Sequence, residues 1–377
     1  MHARNLLLRS VRLIAAVLYG AAAITATAAD VTASAPKAAA PAEHSHIALL
    51  LPTKSKSLKP ATDQIRAGVL AAERMHGNTD IPPVRLYETT DSEADVLAQL
   101  QKAQADGARA VIGPLSKSAV NYIADVAELD IPVLALNSFD GSTLQRANLY
   151  SFNLSIEAEA AQLARSIHEG GLTHPVLLQG SGALPPRMVQ GFIDGWMRVA
   201  GAPPAVIDLA DPVAAPATLA ALLNDNGADA VILATTGKQA RLIRPYLGND
   251  RLVFATSQID TGNLKAALDL AGIRFLDMPW LATPELEEYA AYQRKRMNST
   301  DLERLFALGV DAWRIAAALA TGNGEKEWQG VTGQLSIGEN GQINRELVLR
   351  TVPGRPLALS PATQKAASEP AAASPVQ

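Results

Sequence analysis

The 377-residue chain contains no cysteine, which excludes disulfides, thiolate metal ligands and a thiol nucleophile, together with the acceptor residue that a bacterial lipoprotein needs. Stability must come from a buried core alone. Histidine is scarce, with six in all and none beyond His174, so a histidine-based triad has few candidates and no His-Glu-x-x-His or similar ligand spacing exists. His44 and His46 read as part of an N-terminal tail, while His76 and His168 fall at expected helix ends, as exposed or capping groups. Lysine and arginine nowhere cluster and the formal charge is only -4, which argues against nucleic acid and anionic membrane as main partners. Beyond the first 23 residues no apolar run approaches the ~20 residues that cross a bilayer.

Motifs for catalysis or cofactors are also missing. Gly180-Ser181-Gly182 follows a strand-like run and precedes a helical one, but a dinucleotide fingerprint needs a third glycine where Pro185 stands, and a nucleophile elbow needs Gly-x-Ser-x-Gly. Gly237-Lys238 lacks the glycine of a phosphate loop five residues earlier. Acidic residues such as Glu93, Asp95, Glu285, Glu287 and Glu288 are spaced as solvated helix faces. No catalytic residue, metal site or cofactor is indicated, and the expectation is a binding protein rather than an enzyme.

What is present starts with Arg4, Arg9 and Arg12, an apolar run from Leu13 to Ala23, and the small-x-small sequences Ala26-Thr27-Ala28 and Thr27-Ala28-Ala29. That order is a secretory leader over residues 1–29, the alternative being an uncleaved anchor. Export to the periplasm follows from it. Residues 30–45 and 354–377 are Ala/Pro-rich and read as a linker and a disordered tail. Between them, apolar runs alternate with amphipathic stretches: His46 to Leu51, Val84 to Tyr87, Ala110 to Ile112 and Pro132 to Leu136, then Leu149 to Asn153, Pro175 to Leu178, Ala205 to Leu209 and Ala230 to Leu233. The fold class is α/β, with mainly parallel sheets flanked by helices and the same grammar written twice, as two lobes facing a cleft. The last third differs, with a strand at Leu252 to Ala255, an irregular segment from Phe275 to Trp280, a long helix from Leu302 to Leu319, and a hairpin of Val331 to Ser336 with Glu346 to Arg350.

In open α/β sheets, ligands bind beyond the carboxyl ends of the strands. Those positions hold Thr53, Gly113, Pro114, Leu115, Ser116, Asn137, Ser138, Ser181, Thr235, Thr236, Ser257 and Gln258. Small hydroxyl and amide groups of this kind hold a polar or anionic ligand without a formal charge. Helix capping is their other use, and Ser116 opens a helix. Trp196, Trp280 and Trp313 are expected to lock helices onto sheets.

Gly113-Pro114, the run Pro132 to Asn137, and Thr332-Gly333-x-Leu335 followed by Gly341 resemble the type I periplasmic-binding-protein fold. Asp277-Met278-Pro279-Trp280-Leu281, the stretch Ala307 to Arg314, and Met188-Val189-Gln190-Gly191-Phe192-x-x-Gly195-Trp196 are similar within it to the penicillin-binding protein activator family of the LppC type, from about residue 46 to 353. The resemblance implies a non-enzymatic activator docking onto a bifunctional peptidoglycan synthase. It also implies three crossings between lobes, near residues 149, 256 and 329, with lobe one as 46–148 plus 256–328 and lobe two as 149–255 plus 329–353. Two departures stand out: no cysteine to lipidate, and only a short Ala/Pro stretch where some members carry a helical-repeat domain. The rival reading is a receptor for an amino acid or similar small polar ligand feeding a transporter. Ser116 and Ser138 would then hold the ligand's carboxylate, and Asp140 or Asp260 its ammonium.

Overall fold

The computed structural model describes residues 45–352 apart from 140–145, 211–215, 249, 261, 293–296, 298, 324–325 and 339. The leader, almost all of the linker, the C-terminal tail, His44 and Asp140 lie outside the described residues.

The first sheet has five parallel strands in the order β2-β1-β3-β4-β5, with β1 His46–Leu51, β2 Val84–Glu88, β3 Ala108–Ile112, β4 Val133–Ala135 and β5 Leu149–Ser151. A strand buried on both faces is apolar along nearly its whole length, and β1 shows the division after His46: Ile47, Leu49 and Leu51 enter one core while Ala48 and Leu50 enter the other. Helices α1 Lys59–His76 and α11 Thr300–Thr321 cover the first face, α2 Glu93–Ala105 and α3 Lys117–Val126 the second. Glycines let α1 and α11 approach closely. A Cβ on Gly68 would lie 2.0 Å from the Phe306 carbonyl oxygen, and one on Gly309 would lie 2.2 Å from that of Ile65.

The second sheet has six strands in the order β14-β10-β9-β8-β6-β7: β6 Pro175–Gln179, β7 Ala205–Asp208, β8 Ala230–Ala234, β9 Leu252–Ala255, β10 Arg274–Asp277 and β14 Val348–Thr351, of which only β14 runs antiparallel to its neighbour. α4 Ile156–Glu169 and α5 Leu184–Ala200 cover one face, burying Trp196 beside Phe192. α6 Pro216–Asp225, α7 Gly237–Ile243 and α8 Leu264–Leu268 contribute to the other. A small antiparallel sheet, β11 Glu327–Gln329, β12 Gln334–Ile337 and β13 Ile343–Glu346, packs Trp328, Leu335 and Ile343 onto the first lobe's core.

Four expectations need correction. The segment from Phe275 to Trp280 is not irregular: it is β10, then α9 Pro279–Ala282, because Phe275 and Leu276 fill opposite faces of the second sheet. The terminal hairpin pairs β12 with β13, not with residues 346–350, which pass to the other sheet as β14. The second and third crossings, expected near 256 and 329, shift accordingly. β5 still pairs with β4, β10 still belongs to the second sheet, and β11 to β13 rest on the first lobe. The chain therefore changes lobe after Ser151, at Met278 and at Leu347, whose side chain packs against a core of each lobe. His46 is likewise no tail residue: it is buried in β1, its Nε2 2.9 Å from the Tyr87 hydroxyl.

Candidate functional site at the lobe junction

Among the cavities that open between the lobes of the described residues, two lie at the ends of the strands. The larger, about 610 Å³, is lined by Leu115, Asn137 and Ser138 from the ends of β3 and β4, by Asn153 and Ser155 after β5, and by Leu305 and Leu308 of α11. Its neighbour, about 260 Å³, is lined by Ser257 and Gln258 after β9, Glu159 of α4, Asp277 of β10, Asp301 and Arg304 of α11, and Arg345 of β13. Leu154, Arg187 and Leu305 are common to both walls.

Five of the twelve strand-end candidates thus line these cavities: Leu115, Asn137, Ser138, Ser257 and Gln258. The other seven serve the fold locally. Ser116 caps α3 by accepting from the Ala119 N–H at 3.4 Å. Thr53 donates to Glu88 Oε1 at 2.9 Å. Thr236 forms a capping box with Gln239 at the start of α7, and Gln239 Nε2 also donates to Ser181 Oγ at 2.6 Å. Thr235 is buried. Gly113 and Pro114 shape the loop after β3: Gly113 has φ +109° and a Cβ there would strike the Leu50 carbonyl oxygen at 2.0 Å, so the position needs glycine. Asn137 donates its amide to the Leu115 carbonyl at 2.9 Å, holding two cavity loops together. Asp260, the rival reading's ammonium partner, is 3.5 Å from Arg350 Nη1 and lines neither junction cavity.

The sequence reading missed the charges. Arg304 projects from α11 of the first lobe into the second and grips Asp277 with two nitrogens, at 3.3 and 3.1 Å. It also donates to the Ser257 carbonyl at 3.1 Å and to Asp301 at 3.0 Å. Arg350 of β14 adds a bond to Asp277 at 3.2 Å. Both members of the central pair are buried, with side chains 7% and 1% exposed. Burial works against the charge on Arg304, but Asp277, Glu159 and Asp301 hold its pKa above the ordinary value. Glu159 is buried and takes hydrogen bonds from the Ser257 N–H and, at 2.8 Å, from its hydroxyl; burial pushes its carboxyl up to about 7. A second buried carboxylate, Asp311 of α11, accepts from the Thr332 N–H and hydroxyl at 2.7 and 2.6 Å and from the Val331 N–H at 3.1 Å, tying α11 to the small sheet. One sequence signal would have found this set. Arg304 and Asp311 stand in an otherwise apolar stripe with Leu308 and Ile315, at helical spacing.

Among the described residues no group of three or more His, Asp or Glu is arranged to hold a metal, and no helix is long and apolar enough to cross a membrane.

Two α/β lobes joined by three crossings, with a polar cleft between them, define the chain as a type I periplasmic-binding-protein fold. The solved structures it resembles agree. One from Chromobacterium violaceum, described as a "putative branched-chain amino acid ABC transporter", is 34% identical with TM-score 0.71, covering 81% of this chain and 99% of that one. The C-domain of Haemophilus influenzae LpoA, described as a regulator of PBP1A, has TM-score 0.67 at 23% identity, covering 82% and 97%. Residues 37–350 match the family described as "LppC putative lipoprotein", and the chain belongs to that family. Its curated relatives include proteins named penicillin-binding protein activator LpoA from Dickeya chrysanthemi, 29% identical over 315 residues, and from Yersinia pestis, 30% over 321. Each alignment takes in 70% of this chain. The chain spans about half the length of these relatives, 45% and 47% respectively.

Proposed function

We propose that this chain is a non-enzymatic periplasmic activator of a bifunctional peptidoglycan synthase, a penicillin-binding protein. The observation that carries the reading is the family match over residues 37–350, together with relatives named as activators of such proteins. The site supports it. Most strand-end hydroxyl groups that a solute receptor would turn to its ligand are engaged in helix caps and loop contacts, and the junction is braced by a buried Arg304–Asp277 pair. A braced junction suits a protein that presents a fixed surface to a partner. The receptor reading draws on the likeness to the Chromobacterium structure, but lacks an acidic group at Asp260 free to meet an ammonium. The periplasmic location follows from the leader-like first 29 residues.

The test combines purified chain with a bifunctional synthase of the same organism, measuring co-sedimentation and the rates of glycan polymerisation and peptide cross-linking. A complex and an increase in either rate are expected. Absence of both binding and stimulation across that organism's bifunctional synthases would sink the reading.

A further inference from the structure

Helices α7 and α8 turn apolar side chains outward as well as inward. Ala240, Leu247 and Leu270 fill the second lobe's core, with Ile243 and Ala267 packed against it. Leu242 and Leu268, by contrast, are 68% and 55% exposed, the two most exposed large apolar side chains among the described residues. Tyr246, which ends the 3-10 turn Arg244–Tyr246 after α7, is 47% exposed. Arg241 ties the two helices together, its Nε and Nη2 at 2.7 and 2.6 Å from Asp269 Oδ2. Leu242 and Leu268 therefore each adjoin a member of one ion pair. Isolated exposed leucines are ordinary, whereas apolar groups gathered inside a polar rim mark an interaction surface. The rim here is basic. From Gly237 to Leu247 the chain carries Lys238, Arg241 and Arg244 and no acidic residue, although its formal charge overall is -4. Lys265 stands one turn before Asp269 on α8. Asp269 is taken by Arg241, while the exposed Lys238 and Lys265 form no ion pair among the described residues. None of these side chains lines the cavities at the lobe junction.

We propose that this outer face of the second lobe docks an acidic segment of the synthase, whose apolar side chains cover Leu242, Tyr246 and Leu268 while its carboxylates meet Lys238 and Lys265. Resting on the activator reading, the assignment gives that activity a contact face. The apolar groups supply affinity by excluding water, and the lysines at the rim steer the encounter and fix its register. Charge decides the occupant. A second copy of this chain, paired face to face, would set two basic rims against each other. An anionic bilayer calls for about four to eight clustered basic residues, and with Arg241 committed to Asp269 this rim falls short of that.

The experiment measures binding of the full chain to each bifunctional synthase of the same organism by biolayer interferometry, at low and high salt. Leu242→Glu and Leu268→Glu should each weaken the complex about tenfold or more. The double variant Lys238→Glu with Lys265→Glu should slow association about tenfold and flatten its salt dependence. Val126→Glu, at a side chain 51% exposed on α3 of the first lobe, serves as the control and leaves binding unchanged. All the altered side chains are exposed, so melting temperatures should stay with the parent's; if a leucine variant shifts, the lysine pair still decides. A parent that binds while every variant of this face binds equally well overturns the docking surface and leaves the activator reading intact. A parent that binds no synthase overturns both. The surface is also reassigned, and the proposal lost, if the same variants instead abolish binding to phosphatidylglycerol vesicles or self-association in the ultracentrifuge.

Discussion

Replacing Glu159 by glutamine tests how the lobe junction handles a buried carboxyl. Enclosure raises this group from an ordinary 4.5 to about 7 in the folded chain, whereas in the unfolded chain it regains its ordinary value. The folded form thus binds the proton more tightly, so acid favours folding at this site. The stabilisation is complete below about pH 4.5, fades as the pH rises, and is gone above about 7. The difference of about 2.5 between folded and unfolded values, at ~1.36 kcal/mol each, amounts to about 3 kcal/mol. Glutamine cannot ionise, yet its carbonyl oxygen can accept from the Ser257 N–H and its amide can donate to the Ser257 hydroxyl, the contacts Glu159 now makes. Glu159→Gln should therefore match the parent near pH 4.5 and exceed it at pH 8 by up to about 3 kcal/mol, which at roughly 2 °C per kcal/mol is about 6 °C in melting temperature. Differential scanning calorimetry of both proteins from pH 4.5 to 8 reads this directly. A gap that does not change with pH, or a variant less stable than the parent at pH 8, would refute the reasoning and place an ionised Glu159 in net favourable contact with the nearby guanidinium groups.

Arg304→Met leaves Asp277 with the single cation Arg350 and the Met278 N–H and should cost about 3–5 kcal/mol, measured by urea denaturation, with a change in lobe angle visible by small-angle scattering. Asp311→Ala strands the Val331 N–H and both donors of Thr332; a loss of roughly 3 kcal/mol or more is expected, read as a lower melting temperature. Gly68→Ala places a methyl group against the Phe306 carbonyl and should cost about 1–3 kcal/mol by forcing α1 from α11, whereas Gly201→Ala, at a helix end with open space but φ +74°, should cost about 1 kcal/mol.

The architecture was legible because its signals are local. The apolar runs Ile47 to Leu51 of β1, Ala110 to Ile112 of β3 and Ala230 to Ala234 of β8 each declare burial on both faces, and the amphipathic stretches between them leave a parallel, doubly layered sheet as the simplest solution. The lobe crossings were misplaced because they depend on which sheet accepts β10 and β14, a choice made by Phe275, Leu276 and the antiparallel register of residues 274–277 with 348–351. No local pattern announces a pairing across more than 70 residues of sequence.

The cleft was half legible. The rule that loops at the carboxyl ends of strands face a crevice located Leu115, Asn137, Ser138, Ser257 and Gln258. It could not tell which hydroxyl groups the protein would consume as caps. Nor could it gather Glu159, Asp277, Arg304 and Arg345, from α4, β10, α11 and β13, at a single junction. Taken alone, the sequence determined the fold class and the family, since both follow from apolar periodicity and short motifs read in order along the chain. Only the tertiary structure decided where the charges meet, because whether a guanidinium is buried against a carboxylate, as Arg304 is, or stays part-buried on neutral carbonyls, as Arg345 does, depends on which distant segments fold against it.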